Sequence, residues 1–271
     1  IERLIAALVK LGFSRVRLTG GEPLIRHDVV EIVRTIKQHP QITDLSLTTN
    51  GALLAPIAWD LKQAGLDRVN ISLDSLNAET FFEMTGGNLQ AVLDGIDASL
   101  AVGFDPVKIN VVLLKGRNDD EVKDFIQMTS DLPIDVRFIE LMPIANGRMP
   151  AMQGIDNQSI LAAHPELMPI APRNISQPSE DYQVAGYKGR VGFISALSHQ
   201  FCRDCNRVRV ISNGRLRPCL GKVGEVDLRP LLASDEDTLL RTLQQLVTQK
   251  PAQHDLLHAP VTTSSMKSIG G

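Results

Sequence analysis

Arg68-Val-Asn-Ile-Ser-Leu-Asp74 is the stretch on which the fold turns. Arg68, Asn70, Ser72 and Asp74 alternate with Val69, Ile71 and Leu73, so a strand here has one polar and one apolar face. The same alternation recurs along the chain. Arg15, Arg17 and Thr19 oppose Val16 and Leu18; Asp44, Ser46, Thr48 and Asn50 oppose Leu45 and Leu47; Lys108 and Asn110 oppose Val107, Ile109 and Val111. Strands are predicted over residues 14–19, 43–49, 68–74, 107–114 and 134–141. Helices are predicted over 4–11, 27–38, 56–64, 89–101 and 119–128, with Asn118 placed to cap the last. Strands separated by helical crossovers imply a parallel α/β sheet. Parallel strands covered on both faces read as continuous apolar runs, and these do not. The apolar side packs under the helices, so the polar side faces a lumen. Burying such groups unpaired costs roughly 1–3 kcal/mol each, which argues for a ligand-filled lumen. An antiparallel sheet with one wet face also gives alternation, but the intervening helices speak against it.

Composition sets the bounds. The chain has 271 residues, 43% hydrophobic and 22% charged, with a net charge of -3. No global basic field favours nucleic acid, and no apolar run is long enough to cross a bilayer. Sparse cysteine fits a reducing cytoplasm. In folds of this type ligands sit at the C-terminal ends of the strands, here Gly20-Gly21-Glu22, Thr48-Thr49-Asn50, Ser72-Leu73-Asp74 and Glu140-Leu141-Met142. The glycines allow close backbone approach to a ligand, or simply a tight turn, and Glu22 is placed to hold an ammonium. Arg17 and Lys108 suit a phosphate, or else internal ion pairs with Asp44, Asp74 or Glu140.

After Met142 prolines punctuate a connector, with a short helix predicted over 158–163. Strands are predicted at 182–187 and 190–196, then a hairpin of 207–211 with 216–219 around Ser212-Asn213-Gly214, and a helix over 239–247. All three cysteines lie in this part, as Cys202-x2-Cys205-x13-Cys219, interleaved with Arg203, Arg207, Arg209, Arg215 and Arg217. An odd number argues against a disulfide framework. Structural zinc with His199 as fourth ligand, and an iron–sulfur cluster with one iron left open, both suit three soft thiolates. The clustered arginines favour a metal centre beside an anion site.

Taken together, Arg17-Leu-Thr-Gly-Gly-Glu-Pro23, Leu47-Thr-Thr-Asn-Gly51, Asn70-Ile-Ser-Leu-Asp74, Lys108-Ile-Asn-Val-Val112, Arg137-Phe-Ile-Glu-Leu-Met142, the cysteine–arginine run and the terminal Gly270-Gly271 resemble the radical S-adenosylmethionine (SAM) superfamily, and within it the GTP 3′,8-cyclases of molybdenum-cofactor biosynthesis. The resemblance implies a partial (β/α)6 TIM-like barrel in residues 1–142, followed by a connector and C-terminal iron–sulfur module in 143–271. It implies SAM contacts for Gly21, Ser72 and Met142, and GTP contacts for Arg17, Thr48, Lys108, Arg207 and Arg209. Cys202, Cys205 and Cys219 would hold a 4Fe–4S cluster whose open iron faces guanine, and Gly270 and Gly271 would assist catalysis. The implied reaction converts GTP to (8S)-3′,8-cyclo-7,8-dihydroguanosine 5′-triphosphate in the first step of molybdopterin biosynthesis. The implied partners are an electron donor, a second copy of the chain in a homodimer, and the cyclic pyranopterin monophosphate synthase that takes the product. A peptide-modifying radical SAM enzyme and a zinc-stapled binding module are the competing classes.

One departure carries a consequence. The family's first cluster, the one that splits SAM, sits on a C-x3-C-x2-C motif, and no such motif occurs in these 271 residues. The sequence reading places it upstream of Ile1. With reductant and reconstituted iron, these 271 residues alone are expected to release no 5′-deoxyadenosine; chromatographic detection of that product would overturn the expectation.

Overall fold

The computed structural model describes residues 1–144, 153–174, 176–199, 202–221, 224–254 and 256. Helix α1 (Glu2–Lys10) leads into β1 (Arg15–Leu18), and α2 (Val29–Lys37) into β2 (Asp44–Thr49). Next come α3 (Ala58–Gln63), β3 (Arg68–Ser72), α4 (Ala78–Thr85), α5 (Leu89–Ala101), β4 (Val107–Val112), α6 (Val122–Asp131) and β5 (Ile134–Ile139). The C-terminal half adds α7 (Asn157–Ala163), β6 (Met168–Pro169), β7 (Glu180–Gln183), β8 (Arg190–Ile194), β9 (Arg209–Val210), β10 (Arg215–Arg217), β11 (Val226–Asp227), α8 (Arg229–Ala233) and α9 (Glu236–Thr248).

One eight-stranded sheet runs β1-β2-β3-β4-β5-β8-β7-β6. Its first six strands are parallel, and β7 and β6 close the far edge antiparallel. The five predicted strands and the helices between them are present. The sixth parallel strand, β8, comes from beyond the connector, so the sheet continues past position 142. Its Val191-Gly-Phe-Ile194 run lacks the alternation that marks the other strands, which left its partner open from sequence. Helix α4 has no counterpart among the predicted elements. Asn77 starts it by accepting from the backbone N–H groups of Glu79 and Thr80, and Gly86, at φ 71°, ends it in the left-handed region.

The apolar strand residues Leu45, Leu47, Val69, Ile71, Val107, Ile109, Val136 and Phe138 are fully buried, in one core with Val33 and Ile36 of α2, Leu61 of α3, Val92 and Ile96 of α5, and Phe125 of α6. At roughly 25 cal/mol per Å2 of apolar surface removed from water, this layer is the main source of stability. A second sheet, β11-β10-β9, holds the predicted hairpin. Leu216 of β10 packs with Leu228, with Leu239 and Leu243 of α9, and with Ala7 of α1. The C-terminal part is thereby docked on the first helix, next to β1 at the edge of the large sheet.

Asn118 corrects one expectation. It precedes the 3-10 turn Asp119–Glu121 but makes no side-chain cap bond. Its Oδ1 accepts from Leu114 N at 2.7 Å and its Nδ2 donates to Val112 O at 3.0 Å, pinning the end of β4. With every polar atom of a fully buried amide engaged in the loop, none is left for the helix.

Gly95 in α5 supplies a test of the helix–turn contact. Alanine in place of glycine ordinarily stabilises a helix interior by about 1 kcal/mol. A Cβ on Gly95 would stand 2.6 Å from the carbonyl oxygen of Gly51, whose own φ is +80°. Gly95→Ala should therefore destabilise, by about 1–3 kcal/mol, seen as a lower urea midpoint; a higher midpoint would show that the contact is slack.

Candidate active site

Partners across a parallel sheet share a face, so register arranges the polar side chains in rows. Arg17, Ser46 and Arg68 form one row. Thr48, Asn70, Lys108, Asp135 and Arg190 form the next, and Ser72, Asn110, Arg137 and Gly192 the one nearest the C-terminal rim. Gly21 lies just beyond β1 and Met142 just beyond β5, so Gly21, Ser72 and Met142 all belong to that rim. Gly21 and Ser72 are exposed, while Met142 is half-buried against Ile144 and Leu256. Gly270 and Gly271 lie outside the described residues.

Partners for the charged groups differ from those weighed from sequence. Lys108 Nζ lies 3.3 Å from Asp135, which also takes Arg173 at 3.1 Å. Asp44 is committed to Arg68 through two bonds of 2.7 and 2.8 Å. Asp74 accepts from Val112 N at 2.9 Å, and burial raises its pKa. Glu140 accepts from Leu197 N at 2.7 Å and from the Ser198 hydroxyl. Glu22 is engaged within the protein. Its carboxylate accepts from Leu24 N, from the Thr49 hydroxyl at 2.7 Å and from Asn50 N at 2.7 Å, tying the glycine turn to the end of β2.

Arg137 is the residue that the sequence pattern undersold. Buried in the rim row, its Nη2 donates to Oδ1 of Asn70 at 2.9 Å and of Asn110 at 2.5 Å, while its Nε is buried with no hydrogen-bond partner. Gly192 opposite makes the room, since a Cβ there would stand 3.2 Å from Arg137 Cγ. The signal was available: Ile134-Asp-Val-Arg-Phe-Ile139 alternates like the other strands.

Cations crowd this face. Arg17 touches solvent yet has protein on most sides, as a group on the wall of a cleft does. Withdrawal from water, then repulsion by Arg137, Arg68 and Arg207, lowers its pKa to about 9. Burial, then Arg137, lowers Lys108 to about 8 despite Asp135. Burial also lowers Arg137 to about 10, with Arg68 and Arg207 adding to the effect against Asp135 and Asp181. Arg207 belongs to the cysteine loop, so that loop and the sheet present their charges to one another. Such a field favours a polyanion.

The cysteine loop continues this site. Cys202, Cys205 and Cys219 are half-buried free thiols. Cys202 and Cys205 line a cavity of about 390 Å3 with Arg203, Lys250, Pro251 and Ala252. Burial pushes the Cys205 thiol up, but a hydrogen bond from Arg207 N–H and one from Lys250 outweigh it and leave it below its ordinary value. Burial and Arg207 lower Arg209 to about 10, opposed by Cys205 and Cys219, which places both sulfurs near one guanidinium. No three ligating side chains converge on a single point among the described residues. In donor chemistry three free thiols suit a cluster that takes one thiolate per iron. His199 turns to Glu180, at 3.4 Å, and is exposed.

A mostly parallel sheet with a polar, cation-lined face, backed by helices and followed by a thiol-bearing hairpin, defines a radical SAM type of fold. Residues 1–129 match the radical SAM superfamily and 134–256 match Molybdenum Cofactor Synthesis C. The fold is similar to that of Streptococcus suis SuiB bound to S-adenosylmethionine, with a TM-score of 0.58 and 15% identity over 88% of this chain and 57% of that one. GTP 3′,8-cyclases of Alkaliphilus oremlandii and Clostridium acetobutylicum are 45% and 42% identical to the chain over its whole length, covering 86% of each. The chain belongs to the GTP 3′,8-cyclase family of radical SAM enzymes.

The pKa of Lys108 sets a pH window. A lysine lowered to about 8 is charged at neutral pH and loses that charge as pH rises through about 8. Binding of inorganic tripolyphosphate should weaken over that range, and Lys108→Met should abolish this step in a calorimetric pH series. The linkage has the opposite sign for folding. The unfolded lysine keeps its proton to about 10.5, so wild-type stability relative to Lys108→Met should rise between about 8 and 10.5.

Proposed function

We propose that these 271 residues supply the GTP- and SAM-binding parts of an enzyme that takes both into the lumen of a partial (β/α)6 barrel and cyclises GTP to (8S)-3′,8-cyclo-7,8-dihydroguanosine 5′-triphosphate, the first step of molybdopterin biosynthesis, while the C-x3-C-x2-C ligands of the cluster that splits SAM are not among them. Residues 1–142 supply most of the barrel wall, and 143–271 supply its last strand and the cluster and GTP module. The observation that carries the reading is the meeting of Arg17, Arg68, Lys108 and Arg137 from the sheet with Arg207 from the cysteine loop. Family membership supports GTP as the polyanion that such a field would hold.

Each residue then has a task. Arg17 and Lys108 hold the triphosphate, Arg as a planar fork and Lys as a point charge. Lys108 leaves Asp135 for the phosphate, and Arg173 keeps Asp135 neutralised. Thr48 adds a hydroxyl in the same row. Arg207 and Arg209 hold the nucleotide beside the thiols. Gly21, Ser72 and Met142 form the rim that receives SAM. Cys202, Cys205 and Cys219 hold a 4Fe–4S cluster, which when bound supplies an open iron as a Lewis-acidic anchor for the guanine. Anchored at both ends, the ribose is presented to SAM in one orientation, and that positioning is the protein's contribution to rate. Gly270 and Gly271 are assigned to the active site by resemblance alone.

Charge-assisted contacts are worth roughly 1.5–3 kcal/mol each. Arg17→Ala, Lys108→Ala and Arg207→Ala should each weaken GTP binding at least severalfold by calorimetry, with an unchanged far-ultraviolet spectrum. Unaltered affinity in all three would reject the triphosphate assignment. Protein prepared without oxygen should be brown, carry iron and sulfide, and lose iron when Cys202, Cys205 or Cys219 is replaced by Ala; a colourless protein with one zinc per chain would sink the cluster assignment.

A further inference from the structure

Lys250 lies 45 residues from Cys205 in sequence, two positions beyond the end of α9, yet its ammonium is built into the cysteine loop. Nζ donates to Cys205 Sγ at 3.1 Å, to Arg207 O at 3.0 Å, and to Cys205 O. An ammonium has three N–H donors, and all three are taken by this one turn of chain. The base of the side chain is equally well fixed. Leu239 and Leu243 of α9 are buried with Leu216 of β10 and Ala7 of α1, and Pro251 follows directly and cannot continue the helix. Lys250 also lines the cavity shared by Cys202, Arg203 and Cys205.

Two consequences follow from this geometry. The two carbonyls held by Lys250 flank the peptide segment from which Arg207 departs, and the Arg207 side chain reaches the field of Arg17 and Arg137. Freeing those carbonyls releases the turn that aims Arg207 at the sheet. The contact to Sγ puts positive charge and an N–H against one of the three sulfurs. Hydrogen bonds to cysteine sulfur, and the charge near it, are among the terms that set the potential of a cluster held by such thiolates.

We infer that Lys250 is a positioning residue, which aims Arg207 at the polyanion site and polarises the Cys205 sulfur. The part concerning potential rests on the proposed cluster reading; the part concerning the loop does not. Lys250→Met keeps the aliphatic stem and removes the charge and donors, and Lys250→Arg restores both. The full chain would be compared as wild type and both variants. In protein without iron, amide hydrogen exchange over residues 202–209 should be at least severalfold faster in Lys250→Met and near wild type in Lys250→Arg. After anaerobic reconstitution, the midpoint potential in Lys250→Met should shift downward, because a positive donor that favours the reduced cluster is gone, and Lys250→Arg should recover most of the shift. The Kd for GTP should rise severalfold in Lys250→Met. Equal exchange rates in wild type and Lys250→Met would overturn the loop assignment, whether or not iron is taken up. Equal midpoint potentials would overturn the sulfur assignment. Failure of the wild type itself to carry a cluster would fall on the proposed function and take the sulfur assignment with it, leaving the exchange comparison to decide the loop.

Discussion

Mutual repulsion among Arg17, Arg68, Lys108, Arg137 and Arg207 is the constraint that the rest of the structure has to satisfy. Each of Arg17, Lys108 and Arg137 is lowered by withdrawal from water and by its cationic neighbours. Charges held this way destabilise the protein unless something offsets them. Three carboxylates do part of this. Asp44 takes Arg68, Asp135 is shared by Lys108 and Arg173, and Asp181 faces Arg190 at 3.8 Å. Arg17 has no ion pair among the described residues, and Arg137 is met by two amide oxygens rather than a carboxylate. The remaining positive field is an unspent attraction for a polyanion, and the site depends on it.

The scaffold tolerates this cost because the opposite face of the same strands carries none of it. Along β1 to β5, period-two alternation sends the charged residues to one side and most of the aliphatic ones to the other, and the helices bury the aliphatic side in a continuous core. Parallel register then lines up residues from three to five strands into rows, so groups distant in sequence become neighbours without any loop having to hold them. The carboxylates at strand ends serve the backbone. Glu22, Asp74 and Glu140 each accept from main-chain N–H groups near the C-terminal rim, which fixes the turns from which a ligand-binding surface is made.

Docking of the C-terminal part decides where the thiols stand. The contact of α9 and β10 with α1 is apolar, supplemented by surface pairs such as Lys10 with Glu236. It brings the cysteine loop to the β1 edge of the sheet, where the wall is most exposed. Arg207 and Arg209 complete the electrostatic field from that side. The loop has a short 3-10 turn of its own and is also bonded by the long-range ammonium of Lys250, so its geometry depends on the folded C-terminal part.

Alternation, helix caps, glycine stops and cysteine spacing were all local, and from them the sequence by itself determined the parallel α/β sheet, its two faces and the thiol–arginine cluster. The reason is that side-chain direction in a strand follows from period two alone. Arg17, Thr48, Ser72 and Lys108 were legible for that reason. Other features were decided only by tertiary structure. Register chose Asp135 as the partner of Lys108, a choice that spacing cannot make. Packing turned Asn118 away from its helix and Glu22 toward backbone donors. Val191-Gly-Phe-Ile194 became the sixth parallel strand because β5 offered it an edge, and Lys250 reached Cys205 across 45 positions because α9 is anchored on α1 and β10. Each is a pairing between segments remote in sequence, and such pairings are set by the whole fold, because no local pattern carries the information.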